Sequence, residues 1–212
     1  MSQCTLPPGV TPELVEMSIQ RAVDNLNHEV ETIDNLLRKA HSLTQSTAPA
    51  VTRIHQLYVI RDSIAEKVAT VSACHVGCSH CCKMAVGISG RDAAAISKHT
   101  GIKAHPVPII DLRASAQAMI DKYMGTVCPF LKKNKCSIYE VRPSACRSHF
   151  NLSAYPELCN VIDYPGNDVP NLDWRPVWNT EAALGVQADG ADCSFGDIRE
   201  FFPYGADEFE SL

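Results

Sequence analysis

No stretch of this 212-residue sequence approaches the roughly 18 consecutive apolar residues of a membrane-spanning helix, so no membrane partner is expected. The opening residues, Met1 to Gly9, lack both a basic n-region and an apolar h-region, which argues against a classical secretory signal and for a cytoplasmic location. Net positive charge is also lacking. At −5 the chain has no overall electrostatic pull toward nucleic acid, and no nucleic-acid partner is expected. Nor is there a Gly-x-Gly-x-x-Gly after a strand, a phosphate loop, an HExxH or a GxSxG, so the common nucleotide-binding, metalloprotease and serine-hydrolase signatures are absent. Whether the protein is an enzyme is left open. Internal repeats and low-complexity tracts are missing too.

Cations are scarce in the last part of the chain. Residues 151–212 hold Arg175 and Arg199 against 12 acidic residues, whereas residues 1–150 hold 17 Lys and Arg against 12 Asp and Glu. The tail is read as an acidic solvated segment; the sharper alternatives are a lid on the basic part or a docking surface.

What the sequence does have is cysteine, ten in all. Without an export signal these should stay reduced, so a disulfide framework is not the default. Seven of them (Cys74, Cys78, Cys81, Cys82, Cys128, Cys136 and Cys146) fall in one part of the chain. Thiols used as small apolar fillers would be scattered; clustering points to a metal or redox site. Cys4 and Cys193, far away in Gly-, Pro- and Asp-rich surroundings, are not expected to be ligands.

The remainder reads as a mainly α-helical protein of one or two domains, with 45% apolar and 20% charged residues. Residues 11–45 predict one long amphipathic helix, with Thr11 as N-cap, Pro12 in the first turn, and a stripe of Ile19, Val23, Leu26, Val30, Ile33, Leu37 and Ala40. Ser46 to Pro49 breaks it, and a second helix over about 50–72 completes an antiparallel hairpin. Short helices are expected at about 90–100, starting near Ser89 and stopping at Gly101, and at 109–124, 179–188 and 195–202. Met84 to Ser89 reads as extended. Tyr139, Trp174, Trp178, Phe201 and Phe202 are assigned to the core. Three units follow: a helical hairpin over 1–72, a small irregular and helical cysteine-rich metal-binding domain over 73–160, and an acidic segment over 161–212 packed on it or extending from it. The hairpin is a packing element, and a candidate surface for a protein partner or a homodimer.

The first cysteine block is Cys74-His-Val-Gly-Cys78-Ser-His-Cys81-Cys82. The two-residue gap between Cys78 and Cys81 lets two thiolates converge on one ion. Cys81 and Cys82 are neighbours, whose side chains diverge on helices and strands alike, so one of the pair is a spare thiol, a ligand to a second metal, or a ligand brought in by a special turn. In the second block, Cys128 and Cys136 close a short loop, and Pro143 suits the first position of a new helix. Cys146 would then sit in a first turn whose free amides, with Arg147 beside it, favour a thiolate. Lys132, Lys133 and Lys135, with Arg142 and Arg147, are read as a solvated loop or as a contact for an anion or acidic partner. His75, His80 and His149 could each replace a cysteine, or hydrogen-bond behind one.

These blocks resemble the YkgJ-type cysteine-cluster proteins, zinc- or iron-chelating and named for a CxxCxxCC motif. Here Cys74 to Cys82 carries that motif with one extra residue in the first gap, and CPFLKKNKCSIYEVRPSACRSHF, residues 128–150, resembles the second block. A further cysteine often follows in such proteins, as Cys159 does here. Flagellin lysine methylases carry a similar block, for which the resemblance implies an iron–sulfur cluster. All seven clustered cysteines are candidate metal ligands. Sulfur suits zinc, iron–sulfur and copper(I) alike; a structural zinc would use four ligands and leave three idle, which favours an iron–sulfur cluster over zinc. The expected function is a cysteine-ligated metal protein with a redox, sensing or metal-handling role. The alternatives are a structural zinc module that binds a protein partner, and a protein-modifying enzyme of the lysine-methylase kind.

Overall fold

A computed structural model describes residues 5–107, 112–189 and 194–203; Cys4 and Cys193 lie outside them. Helix α1 (Pro12–Leu26) begins as expected, the Thr11 hydroxyl accepting a hydrogen bond from the Leu14 amide at 3.3 Å. The single helix expected over 11–45 is divided, however. A 3-10 turn at Asn27–Glu29 separates α1 from α2 (Val30–Ser42), and a second at Leu43–Gln45 ends the arm. A 3-10 turn winds three residues per turn instead of 3.6, so one apolar stripe cannot keep its phase across it. Val23 and Val30, expected inside, are accordingly exposed, while Ala22, Leu26, Ile33 and Ala40 are buried.

Helix α3 (Ala50–Ala69) returns to complete the hairpin. A strand β1 (Gly87–Ser89) then leads into α4 (Gly90–Thr100). This helix has the expected ends: Ser89 and Asp92 form a reciprocal capping box, and Gly101, at φ 77°, closes it in the left-handed conformation. Next come α5 (Leu112–Tyr123), a tight hairpin of β2 (Leu131–Lys132) and β3 (Lys135–Cys136), and the one-turn helix α6 (Ser144–Arg147). The expected start of α5 at 109 lies outside the described residues. The final elements are α7 (Arg175–Asp189), β4 (Phe195–Asp197) and α8 (Ile198–Phe201). Thus α7 starts four residues earlier than expected, and the helix expected over 195–202 is a strand that turns into a single helical turn. No described helix is long and apolar enough to cross a membrane.

Two apolar cores result. In the first, α2, α3 and α7 pack together through Ile33, Ala40, Leu57, Ile64, Val177 and Leu184, with Leu152 and Trp174 from the approach to α7. Two partners on α3 explain why its buried face is wider than a hairpin alone requires, taking in Arg53, Ile60 and Arg61. Arg53 donates to the Leu43 carbonyl at 3.0 Å and to Gln187 at 2.6 Å, joining the end of the first arm to α7. The second core holds Ile88, Ile96, Phe130, Ile138, Ile198 and Phe202, with Cys128, Cys136 and Cys146 packed against it. Phe130 meets Phe202 edge-on at 5.1 Å. Tyr139 and Trp178 depart from expectation: both are exposed, at 62% and 42%.

Residues 194–203 of the tail are held by burial and strand pairing, not by the tail's net charge. β4 pairs antiparallel with β1, setting Ile88 opposite Gly196. A side chain on Gly196 would lie 2.8 Å from Val107 and 2.4 Å from the Glu200 carboxylate, so the approach requires glycine. Asp197 is fully buried, and Arg199 is 7% exposed. Their ion pair is double, at 2.8 and 3.0 Å. Asp197 also accepts from the Val86 amide at 2.7 Å. The remaining guanidinium donors reach backbone carbonyls: Met84 at 3.1 Å, Val127 at 3.3 Å, and Thr126. Met84 follows the first cysteine block, and Thr126 and Val127 precede the second. Arg199→Met should therefore leave a buried carboxylate without its cation and cost roughly 3–5 kcal/mol in urea unfolding; adding Asp197→Asn should recover part of that loss.

On α7, Glu181 accepts from the Ser144 hydroxyl at 2.5 Å, and burial, its largest influence, raises its pKa. A carboxyl whose folded pKa is raised adds stability below its ordinary value and loses that contribution as pH rises through the folded value. Unfolding free energy should therefore fall as pH rises from about 4 towards neutrality, within the ordinary spread of carboxyl titration, and Glu181→Gln should flatten that fall.

Candidate metal centre

The first cysteine block runs from the end of α3 to β1. The Ala73 amide donates to the Asn151 carbonyl at 2.8 Å, anchoring the start, and Cys74 itself is exposed. The Cys78 amide donates to the His75 carbonyl at 3.1 Å, closing a turn with Gly77 at φ +92°. Glycine alone adopts that conformation without steric cost, and the turn absorbs the extra residue in the first gap of the motif. A 3-10 turn at His80–Lys83 follows, in which the Cys82 amide donates to the Ser79 carbonyl at 3.0 Å. It sets Cys82 beside Cys81, whose ionisation it opposes. Both residues of the pair lie in this turn.

The second block is held directly against the first. The Cys128 amide donates to the Cys82 carbonyl, and the Gly125 amide to the Lys83 carbonyl, each at 2.7 Å. The loop between Cys128 and Cys136 contains the β2–β3 hairpin, whose turn residues Lys133 and Asn134 both have positive φ, at 49° and 59°. That conformation matches the twist of two short strands. A 3-10 turn at Tyr139–Val141 leads to Arg142, Pro143 and α6, with Pro143 one place before the helix and not in its first position. A third segment completes the group. The 3-10 turn Pro156–Cys159 packs on the turn at His80–Lys83 and brings in buried Cys159, whose sulfur lies 3.8 Å from His149 Nε2. Cys159 is not among the seven expected ligands; the signal for it was the further cysteine that often follows the second block in similar proteins.

The thiols form one electrostatic group. Burial is the leading influence on Cys78, Cys128, Cys136, Cys146 and Cys159, and all five are raised, Cys128 to about 11 and Cys159 to about 12. Cys81 is raised first by its bond to Cys82, then by burial. Charge on one sulfur opposes charge on others across the segments: Cys146 responds to Cys128, Cys81 and Cys136, and Cys159 to Cys81, Cys74 and Cys78. This corrects the expectation of a low-pKa thiol at Cys146. α6 is a single turn, so the pull of its amides is small beside the cost of desolvating a sulfur. Arg147 also points elsewhere, to the Arg142 carbonyl at 2.8 Å, the Glu140 carbonyl, and Asp62 of α3 at 3.8 Å.

Residues 73–160 match the family model described as "CxxCxxCC: Putative zinc- or iron-chelating domain". The chain carries a CxxCxxCC domain. No curated protein and no solved structure matches the chain.

The donor chemistry of this CxxCxxCC domain suits a thiophilic metal. Sulfur is carried by three adjoining chain segments, and the side-chain nitrogen Nε of Arg142, between the cysteines of the second block in sequence, is buried without a hydrogen-bond partner. Among the described residues, no three Cys, His, Asp or Glu side chains are grouped as the ligands of a single ion. Metal–sulfur bonds of about 2.3 Å would draw sulfurs to within roughly 4 Å of one another, so loading one ion requires these segments to close up. His75 Nδ1 is engaged with the Ala73 carbonyl at 3.0 Å, and burial lowers the pKa of His149, favouring a neutral ring beside Cys159. Next to Cys128, Tyr123, Lys132 and Arg199 border an open cleft of about 520 Å³.

The enclosed, cross-coupled thiols should dominate metal retention. Metal per chain in purified variants should fall by most of its value in Cys81→Ser and Cys146→Ser, and stay near the parent level in Cys74→Ser, whose sulfur is at the exposed edge. Equal retention in all three would show that burial does not rank these ligands.

Proposed function

We propose that the CxxCxxCC domain holds an iron–sulfur cluster through thiolates of both blocks, with Cys81, Cys128, Cys136 and Cys146 as the inner ligands. One observation carries this reading: backbone hydrogen bonds join the two blocks, the turn bearing Cys159 packs on the first of them, and these adjoining segments carry eight cysteines, more sulfur than one tetrahedral ion can use, with Cys128, Cys136 and Cys146 packed against an apolar core. Cys74, Cys78, Cys82 and Cys159 would supply further ligands or hydrogen bonds behind the inner four. When bound, such a cluster supplies one-electron exchange, and the role that follows is redox, sensing or metal handling.

The protein's own contribution is binding and insulation. The Asp197–Arg199 pair keeps the two blocks adjacent, and Phe130 and Ile138 exclude water on the core side. Burial keeps the empty thiols protonated, so each ligand must give up a proton to the solvent as metal enters. Structural zinc is the second reading, supported by the position of the cysteines as packing residues of the second core. A zinc there would act chiefly by holding the blocks together.

Anaerobic purification decides between them. A brown protein absorbing broadly near 400 nm, with iron and acid-labile sulfide in equal amounts, is the expected result. A colourless protein with stoichiometric zinc and no iron would overturn it. In either case, chelation should increase protease cleavage within 73–160 while the helical signal of the α2–α3–α7 bundle persists.

A further inference from the structure

The segment after α6 carries two side chains whose spacing is already that of two ligands on one ion. Cys159 Sγ and His149 Nε2 lie 3.8 Å apart. Metal bonds of about 2.3 Å to sulfur and about 2.0–2.1 Å to imidazole nitrogen, at the tetrahedral angle, set two such ligands roughly 3.6 Å apart. The cysteine blocks must close up to share one ion, whereas this pair needs almost no movement.

Both partners are held from behind. Ser148, just before the histidine, is fully buried. Its carbonyl accepts from the Asn171 side-chain amide at 3.0 Å, and its hydroxyl accepts from the Trp178 indole at 3.0 Å. Phe150, just after it, stacks on Trp174 of the bundle core. Cys159 is buried at the end of the 3-10 turn Pro156–Cys159. Between the two, buried Asn151 closes the loop. Its side chain donates to the Tyr155 carbonyl at 2.8 Å and accepts from the Ser153 amide and hydroxyl at 2.9 and 2.7 Å. Ligands fixed in place by such packing bind without a large ordering cost.

The surroundings favour a metal ligand over a plain hydrogen bond. The Asn151 carbonyl accepts from the Ala73 amide at 2.8 Å, which brings the start of the first cysteine block against this loop. The turn Pro156–Cys159 packs on the turn at His80–Lys83, which carries Cys81 and Cys82. More sulfur therefore adjoins the pair. His75 is placed differently: it is exposed, and its Nδ1 is engaged with the Ala73 carbonyl.

We propose that His149 Nε2 and Cys159 Sγ ligate the same metal ion, thiols of the first block completing its coordination. The inference rests on the metal-centre reading above and adds one nitrogen to a ligand set otherwise made of sulfur. Mixed cysteine and histidine sets are ordinary for zinc, and imidazole also replaces thiolate on the iron of some clusters, so the assignment holds for either metal. On binding, the Cys159 thiol gives its proton to the solvent and the ring enters neutral.

The test is X-ray absorption fine structure of the reduced full-length chain loaded anaerobically with Co²⁺, which separates nitrogen from sulfur neighbours of the ion. The parent should show an imidazole nitrogen shell beside the sulfur shell. His149→Gln, which can still hydrogen-bond, should lose the nitrogen shell and weaken Co²⁺ binding by more than the roughly tenfold that loss of a partner behind a ligand costs. His149→Cys should regain affinity with a shell of sulfur alone. The double variant His75→Gln, His80→Gln should keep the nitrogen shell, and it decides the matter if the His149 variants fail to fold by their helical signal. Co²⁺ bound through sulfur alone in the parent, parent affinity and an intact nitrogen shell in His149→Gln, or loss of that shell in the double variant would overturn the proposal and leave the metal centre standing. A parent chain that binds neither Co²⁺ nor Zn²⁺ would overturn the metal reading and this inference with it.

Discussion

The buried ion pair of Asp197 and Arg199 is the constraint on which the arrangement of the cysteines depends. Both groups have been taken out of water, which costs several kcal/mol per ion unless every donor and acceptor is matched. Here they are matched. The carboxylate accepts from two backbone amides and from the guanidinium, and the guanidinium reaches carbonyls on either side of the site. A mainly acidic tail thereby supplies the cation that joins Met84, at the exit of the first block, to Thr126 and Val127, at the entry of the second. Burial makes the joint specific: a sliding register would leave a charge unpaired.

The helical bundle supports the site from the opposite side. Ser144 at the start of α6 is bonded to Glu181 of α7, and Arg147 at its end reaches Asp62 of α3. A helix of one turn has little stability of its own; α6 stays formed because both ends are attached to longer helices. The thiols of Cys128, Cys136 and Cys146 thus pack on the core behind the β1–β4 pair, while α6, which carries Cys146, is tied to the bundle. Desolvation then sets their chemistry. The sulfurs resist ionising one by one, each charge raises the cost of the next, and a thiophilic cation relieves all of these costs together.

Much of this was legible locally. Thr11-Pro12, the Ser89–Asp92 capping box and Gly101 mark helix ends because backbone groups at those ends need particular partners or a particular φ. The two cysteine blocks announced a metal-binding region because thiols at short spacing have few other uses. The phase of the first arm was not legible, since the 3-10 turn at Asn27–Glu29 has no sequence signature of its own and moved Val23 and Val30 to the surface. The orientation of Arg147 and the exposure of Tyr139 were hidden for a different reason: each depends on a partner distant in the chain or on a turn formed by tertiary packing.

By itself the sequence determined the helical class, the hairpin, and a thiol-rich metal-binding segment over 73–160, because periodicity, capping and ligand spacing are short-range properties. The tertiary structure alone decided that Cys159 joins the first block, that burial and not a helix end governs Cys146, and that Arg147 turns to backbone carbonyls and Asp62. It also decided that one arginine near the end of an acidic tail holds the two blocks side by side. Those outcomes depend on which residues share a desolvated space, and that is set by the packing of segments up to a hundred residues or more apart, as in the 115-residue separation of Met84 and Arg199.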